Sequence, residues 1–453
     1  MLRNRLKYSV FGVFCSFVFF SMSATGTENS MKSTEAPELS QRAQLGKLVF
    51  RDAELSIGRN QSCASCHAAD AGFTSPFEHF NGKGSVVEGS ISGRFGNIRP
   101  PTAAYLTSSP VLHHRYEDGE LLFAGGAFLN GRATGKTRGN PVADQVTIPF
   151  LNPLEMGLRD SICVVKRVCE PKVAYTYGAR FKDVWGSSIC EIDWPEGVDA
   201  KCEVSGNRLA LGKKLRPTVE RVFDKVAMSL FAYLSSREVN AFSSKYDLFL
   251  KGRVGLTEQE KLGQKLFEDK GKCAACHILE NGPNGEPPLF TDFTYDNLGV
   301  PRNPDNPFYK MKDFNKAGFD WVDEGLATAL ASDPFYKKSA GAQRGKVKVP
   351  TLRNIDRRPS PEFVKAFTHN GYFKSLKGVV HFYNTRDKKP ACPKLLMSEA
   401  EAMRQKCWPK PEIEENVNKD ELGDLKLTDA EEDAIVAFMK TLSDGYSPEK
   451  QPD

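Results

Sequence analysis

The sequence contains the same cysteine and histidine motif twice, each time after a similar hydrophobic word. Residues 45–50 (LGKLVF) precede the motif at 63–67, and residues 262–267 (LGQKLF) precede the motif at 273–277. A Cys-x-x-Cys-His motif attaches c-type haem, because its thiols form thioether bonds with the porphyrin and its histidine ligates the iron. Zinc would need two more soft ligands near each cysteine pair, and the sequence places none close by. We therefore predict two covalently bound haems, held by Cys63, Cys66 and His67 and by Cys273, Cys276 and His277.

The two motifs lie about 200 residues apart, in segments of similar organisation. An amphipathic helix pattern closes each half, near residues 219–234 and 434–442. Long stretches rich in glycine, proline and asparagine separate the helix patterns, and strand-like alternation is scarce. We predict a mainly α fold of two cytochrome c-like helical domains with long ordered loops, each carrying one covalent haem. The predicted bounds are 41–245 for the N-terminal peroxidatic haem domain and 256–445 for the C-terminal electron-transfer haem domain.

The first 25 residues have the pattern of a secretory signal peptide. Arg3, Arg5 and Lys7 precede an apolar run over residues 8–20, small residues follow, and no acidic residue occurs. A retained membrane anchor is the alternative, although this run is short for a bilayer span of about 20 residues. We predict a signal peptide at 1–25, a flexible lead-in at 26–40, export to the periplasm, and no stable membrane span after cleavage.

The 453 residues have the composition of a soluble globular protein, with 40% hydrophobic and 26% charged side chains. This composition excludes a disordered chain. The formal net charge of +5 falls to +2 once the three cations of the predicted leader are removed. A charge this small argues against nucleic-acid binding.

Six cysteines remain when the four haem thiols and Cys15 of the predicted leader are set aside. Export would bring them into a compartment where disulfides persist. Their connectivity cannot be deduced from sequence alone. Local grouping suggests three bridges: Cys163 to Cys169, Cys190 to Cys202, and Cys392 to Cys407.

Further short words occur between and after the motifs in a specific order. They are GGAFLNGRA at 125–133, Gln145 with NPLEM at 152–156, NLGVP at 297–301, VPTLRN at 349–354 and HNG at 369–371. With these words the chain resembles the bacterial di-haem cytochrome c peroxidase and MauG family over about residues 40–445. The resemblance implies that hydrogen peroxide reacts at the His67 haem and that the His277 haem handles electrons.

Peroxide cleavage needs an open distal face and a group that moves a proton from one peroxide oxygen to the other. The family uses a glutamine and a glutamate ten residues apart, and Gln145 and Glu155 keep that gap, with Pro149 between them. Spacing alone would favour a surface glutamate after a loop proline, whereas the NPLEM word favours catalysis. The resemblance implies that Glu155 is the proton shuttle and that Gln145 orients the peroxide by hydrogen bonding.

A second histidine ligand to the N-terminal iron is missing from its usual place. Many family peroxidases carry it in the loop before an Arg-Asn-x-Pro word, which here is residues 97–101 (NIRPP). Counting back from Pro101, the ligand position falls near Ile91, which cannot coordinate iron. His79 is the one histidine of that loop, and a solvated or loop-packing role is the favoured interpretation. We expect a five-coordinate haem that is always open to peroxide.

The second iron also departs from the peroxidase pattern. The family peroxidases carry a methionine fourteen residues after the histidine of the His-x-Gly word, and from His369 this count reaches Tyr383. MauG carries tyrosine at this place. A phenolate favours high iron oxidation states, whereas a thioether favours the ferrous state. His381 is an alternative ligand, and ordinary packing of Tyr383 is the other alternative.

Two more positions are interpreted through the resemblance. The family commonly has a tryptophan between the haems, and Leu129 stands in its place. The family also binds calcium between its domains through an asparagine and loop carbonyls. The matching positions are Asn97 and the backbone near Val364 and Ala366, although Asn97 requires a shift of two residues in the alignment. His369 is better placed on the distal side or between the domains than as a ligand.

Three functions follow from this pattern. The favoured one is a MauG-like oxidation of a partner protein, supported by Tyr383 and weakened by Leu129. The alternative is a peroxidase that removes hydrogen peroxide with electrons from a small c-type cytochrome. A non-catalytic electron-transfer cytochrome is a further alternative, in which Gln145 and Glu155 would have no purpose.

Overall fold

The computed structural model describes residues 38–117, 119–170, 177–282 and 285–448. The predicted signal peptide and all but the last three residues of the predicted lead-in lie outside them. Ser40, at the end of that lead-in, caps the first helix by accepting a hydrogen bond from the backbone N–H of Ala43.

The described residues form mainly helices and loops, which confirms the predicted fold class. Two antiparallel pairs of short strands occur, β1 (His113–Glu117) with β2 (Glu120–Ala124) and β3 (Tyr295–Asp296) with β4 (Val347–Lys348). The helices of this part of the chain are α1 (Gln41–Arg51), α2 (Cys63–Cys66), α3 (Glu78–Asn81), α4 (Pro141–Gln145), α5 (Ile148–Leu151), α6 (Ser161–Cys169), α7 (Tyr177–Trp185), α8 (Val198–Cys202), α9 (Leu215–Leu234), α10 (Lys245–Leu250), α11 (Glu258–Glu268), α12 (Ala327–Ala331), α13 (Leu376–Thr385), α14 (Glu399–Gln405) and α15 (Asp429–Lys440).

The repeated hydrophobic words form equivalent helix crossings. Helix α1 packs against α9, and α11 packs against α15. A Cβ atom on Gly46 would lie 1.9 Å from the carbonyl oxygen of Ser229, and one on Gly263 would lie 1.9 Å from that of Ala434. Glycine is therefore required at both crossings, because a larger side chain would push the helices apart.

Two of the hydrophobic cores in the described residues each draw on one half of the chain. The first is built from residues between Leu45 and Val239, and the second from residues between Tyr246 and Leu442. Each core packs against one of the two haem-attachment motifs. Among the described helices, none is both long enough and apolar enough to cross a membrane.

The described part of the chain contains three disulfides, and two of the predicted pairings are wrong. Cys163 is bonded to Cys202 and Cys169 to Cys190, whereas the predicted bridge between Cys392 and Cys407 is confirmed. Cys163 and Cys169 both lie on helix α6. Six residues along a helix separate two Cα atoms by about 9 Å and turn their side chains apart. This separation exceeds the span of a disulfide, so each cysteine of α6 bonds to a different later segment.

Candidate haem sites

Both attachment motifs hold their histidine in the same way. Nδ1 of His67 donates to the carbonyl oxygen of Phe73 (3.0 Å), and Nδ1 of His277 donates to that of Phe290 (2.8 Å). Both phenylalanines have a left-handed backbone, with φ of 56° and 54°, which turns the loop back onto the histidine ring. A proton fixed on Nδ1 leaves the Nε2 lone pair free for a metal.

The four motif cysteines are free thiols. Burial raises the pKa of Cys63, Cys66 and Cys273 to about 12, so these thiols are neutral at physiological pH.

The N-terminal motif opens into a cavity with an empty volume of about 1130 Å³. Its lining is mostly apolar, as expected for a cofactor site. The predicted peroxide residues Gln145, Pro149 and Glu155 line the same cavity as Cys63, Cys66 and His67.

Two short helices bring these distal residues to the cavity. Asn140 caps α4 by accepting a hydrogen bond from the N–H of Val142, and Gln145 is the last residue of that helix. Pro149 lies in α5, which ends at Leu151. The chain then turns, with the N–H of Met156 donating to the carbonyl oxygen of Pro149 (3.2 Å). This turn directs Glu155 back toward the cavity.

The carboxyl group of Glu155 has two polar neighbours that the sequence did not reveal. Nδ2 of Asn152 donates to Oε1 of Glu155 (2.6 Å). Burial raises the pKa of Glu155, and the charge of Arg132 and the hydrogen bond from Asn152 offset part of that rise. Arg132 lines the cavity and stacks on Phe128, 3.5 Å from the ring centroid. The NPLEM and GGAFLNGRA words contain these two residues, but only the fold brings them to Glu155.

The two other residues considered for the first iron lie elsewhere. His79 is exposed and stacks on Phe80, with ring centroids 4.0 Å apart. Neither His79 nor Ile91 lines the N-terminal cavity, and among the described residues His67 is its one histidine.

The C-terminal motif opens into a second cavity, with an empty volume of about 1280 Å³. Tyr383 lines it together with Cys273, Cys276 and His277. Burial is the main cause of a raised pKa of the Tyr383 phenol, so a metal would have to displace its proton to bind the oxygen.

The alternative ligand His381 does not line this cavity. Its Nδ1 lies 3.0 Å from Oε1 of Glu432, and its Nε2 accepts a hydrogen bond from Nζ of Lys389 (2.7 Å). With both ring nitrogens engaged, His381 is already satisfied by its protein neighbours.

Leu129 and His369 also line the C-terminal cavity. Nε2 of His369 lies 2.8 Å from a carboxylate oxygen of Glu412. Burial opposes a positive charge on His369, but Glu412 and Asp323 raise its pKa overall. His369 is therefore held by a buried carboxylate rather than presented through Nε2 to the cavity.

The predicted calcium positions make other contacts. The carbonyl oxygen of Asn97 accepts a hydrogen bond from Nδ2 of Asn306 (2.9 Å). The carbonyl oxygen of Val364 accepts one from Nδ2 of Asn81 (3.1 Å). Calcium binding through Asn97 and the backbone near Val364 and Ala366 remains a prediction from the resemblance.

Arg99 is a further residue that the sequence did not single out, and it lines both cavities. Its neighbours in the NIRPP word gave no signal of this position. Only the packing of the two halves reveals it.

Two cavities, each with free paired thiols and a histidine whose Nε2 is available, define a di-haem c-type oxidoreductase. A family model described as di-haem cytochrome c peroxidase matches residues 40–255. The methylamine utilization protein MauG of Paracoccus denitrificans is 31% identical over 409 residues, covering 90% of this chain and 89% of that protein. The chain belongs to this di-haem cytochrome c peroxidase and MauG family, and the family binds two c-type haems.

The chain is also similar to other di-haem peroxidases, in sequence and in structure. Cytochrome c551 peroxidase of Nitrosomonas europaea is 25% identical over 385 residues, covering 84% of each protein. The diheme peroxidase BthA of Burkholderia thailandensis E264 is structurally similar, with a TM-score of 0.67 and 26% identity over 90% of this chain and 87% of that one. This chain is thus an oxidoreductase of the peroxide-reactive class.

Proposed function

We propose that the protein is a periplasmic enzyme that reacts with hydrogen peroxide at the N-terminal cavity and oxidises a partner protein, as a MauG-like enzyme would. The observation that carries the choice is Tyr383, whose side chain lines the C-terminal cavity beside Cys273, Cys276 and His277. A hard anionic oxygen ligand favours oxidised iron, whereas the methionine of ordinary peroxidases favours reduced iron.

The haem of the N-terminal cavity would be held by Cys63, Cys66 and His67, and it would supply the iron that binds peroxide and takes up its oxidising equivalents. The carboxylate of Glu155 accepts a proton from one peroxide oxygen and returns it to the other, so that water can leave. Asn152 holds Oε1 of Glu155 in place for this transfer. Gln145 and Pro149 line the same cavity, where Gln145 would orient the peroxide by hydrogen bonding.

At the C-terminal cavity, Tyr383 would bind the haem iron through its phenol oxygen. This oxygen must lose its proton on binding, because a neutral phenol is a weak ligand. Tyr383 lies on the last turn of α13. Ser375 caps the N-terminus of this helix. A helix fixes the phenol more rigidly than a loop would.

A peroxidase that takes electrons from a small cytochrome is the second candidate. Leu129 favours it, because a leucine offers no aromatic group between the haem sites. The two candidates differ in what the resting protein does with peroxide. A partner-protein oxidase stores both oxidising equivalents without prior reduction, whereas a peroxidase first needs an electron from its donor.

The test is to mix the fully ferric holoprotein with one equivalent of hydrogen peroxide and follow the visible and near-infrared spectra. We expect a long-lived state oxidised by two electrons per chain. A spectrum that responds only after half-reduction would support the small-cytochrome peroxidase instead. Tyr383→Phe is the matched variant: it should shorten the lifetime of the oxidised state while leaving the first haem spectrum unchanged.

A further inference from the structure

A half-buried positive charge lies on the walls of both haem cavities. Arg99 lines both of them. Its backbone N–H donates to the carbonyl oxygen of His369 (3.0 Å), and its Nε donates to that of Thr368 (2.9 Å). Arg99 thus contributes two hydrogen bonds to the contact between the first and second halves of the chain.

No carboxylate in the described parts of the chain forms an ion pair with Arg99. Burial lowers the pKa of Arg99 to about 10, so the guanidinium still carries its charge at neutral pH. A buried charge is costly unless it is paired. A negatively charged group inside the cavities would supply the missing counter-charge.

A haem brings two carboxylates of its own into such a cavity. The planar guanidinium matches a carboxylate through two parallel hydrogen bonds. Nε and one Nη of Arg99 contact the carbonyl oxygens of Thr368 and Pro100. The remaining N–H groups have no hydrogen-bond partner in the described residues, which leaves them for a group inside the cavities.

The register of the sequence adds a second argument. In the NIRPP word, the unshifted position of the family's calcium-binding asparagine is Arg99, two residues after Asn97. The chain thus has a cation where the family has a cation ligand. A guanidinium and a divalent ion in contact would repel each other strongly in this low-dielectric setting.

Other side-chain donors already occupy the oxygen atoms of this seam, by which we mean the contact between residues 71–99 and residues 357–374. Nδ2 of Asn81 bonds to the carbonyl oxygen of Val364. Nζ of Lys365 bonds to the carbonyl oxygens of Ala71 (2.8 Å) and Arg357 (2.7 Å). The residues present therefore do not fit a calcium ion at the predicted position.

The ammonium group of Lys374 also occupies oxygen atoms of this seam. Its Nζ lies 2.6 to 2.8 Å from four oxygen atoms, namely the carbonyl oxygens of Asn81, Lys83 and Gly371 and Oγ of Ser85. Such a set of oxygens resembles the donor set of a hard cation site.

We propose that Arg99 is the fixed positive charge between the two haems, that it pairs with haem carboxylates, and that the seam binds no calcium. This goes beyond the choice between a partner-protein oxidase and a peroxidase, because it holds for either. It rests only on the two haems that the family binds.

The first test is the metal content of the holoprotein. We expect substoichiometric calcium after purification in calcium-containing buffer, and visible and EPR spectra that do not change on treatment with EGTA. One calcium ion per chain, or spectra altered by EGTA, would overturn the proposal.

The second test is a potentiometric titration of both haems. Loss of a nearby positive charge favours the ferric state, so Arg99→Leu should lower both reduction potentials, while Arg99→Lys should largely retain them. Arg94→Leu is the control, because Arg94 lies in the same loop but lines neither cavity. Equal potentials for Arg99→Leu and Arg94→Leu would overturn the proposal, whether or not the enzyme turns over.

Discussion

In each half of the chain, a turn with an Asn-Gly pair leads into the segment that covers the haem cavity, and the two segments differ in how far they stay helical. The turn at Asn130-Gly131 is closed by a bridge between Ala127 and Ala133, and the turn at Asn370-Gly371 by a bridge between Phe367 and Phe373. After the first turn come two short helices, α4 and α5, and after the second turn comes the continuous helix α13.

Prolines account for the difference. Pro141 begins α4, and Pro149 lies in the first turn of α5, which ends two residues later. A proline cannot continue a preceding helix, because it lacks the N–H and its ring clashes with the earlier turn. Helix α13 contains no proline and carries Tyr383 on its last turn. The attachment motif therefore contributes the same residue types to each cavity, whereas the covering segment decides whether a carboxyl or a phenol lines it.

The largest expected effect is on the rate of reaction with peroxide, and it comes from changing Glu155 at the N-terminal cavity. Replacing Glu155 by Gln keeps the shape but removes the group that moves the proton, and should slow the reaction with peroxide by roughly 100-fold or more. Stopped-flow absorbance measures this rate. Glu196→Gln, at an exposed glutamate, is the control. Equal rates for the two variants would remove Glu155 from the mechanism.

The role of Tyr383 at the C-terminal cavity is tested by Tyr383→Met, which puts a thioether on the same turn of α13. Methionine ligation raises the reduction potential of a haem. We expect the second haem to reduce more easily and the two-electron oxidised state to be lost. A potentiometric titration and near-infrared spectra measure both changes. Unchanged ligation of the second haem in this variant and in Tyr383→Phe would show that Tyr383 only packs.

A smaller effect is expected from joining the two short helices. Pro149→Ala removes the ring that interrupts the covering segment and should displace Glu155 by a fraction of a turn. Misplacement of a catalytic group by about 1 Å costs roughly 10- to 100-fold in rate. Stopped-flow kinetics with a thermal melt would separate this loss from unfolding. A rate equal to that of the unchanged protein would mean that the turn after Leu151 alone positions Glu155.

The smallest expected effect concerns pH. Glu155 must be ionised to accept a proton, so the peroxide rate should fall as the pH drops through its raised pKa. Asn152→Ala removes a hydrogen bond that lowers this pKa, and should move the inflection to higher pH. A pH profile of the stopped-flow rate measures the shift. An inflection that stays in place would mean that Asn152 does not control the ionisation of Glu155.

The parts of the site that the sequence predicted are those set by local patterns. The haem thiols and histidines lie within five residues of one another, and Gln145, Pro149, Glu155 and Tyr383 follow from counted spacings within known words. The structure places all of these on the expected cavities.

The parts that the sequence missed depend on distant segments meeting. The pairing of Cys163 with Cys202 follows from the direction in which α6 points its side chains, which proximity in sequence does not give. Arg132 reaches the surroundings of Glu155 only through packing, and Arg99 meets the second half of the chain at Thr368. A pattern within one segment carries no information about such contacts.

The contacts of Lys374 with four oxygen atoms bear on the conditions under which the two halves stay together. A metal ion bound between two parts of a protein comes from the surrounding solution, and a stronger chelator can remove it. An ammonium group at the end of a side chain is made together with the polypeptide and cannot diffuse away. The contact that Lys374 makes between the two halves therefore does not depend on the supply of divalent cations.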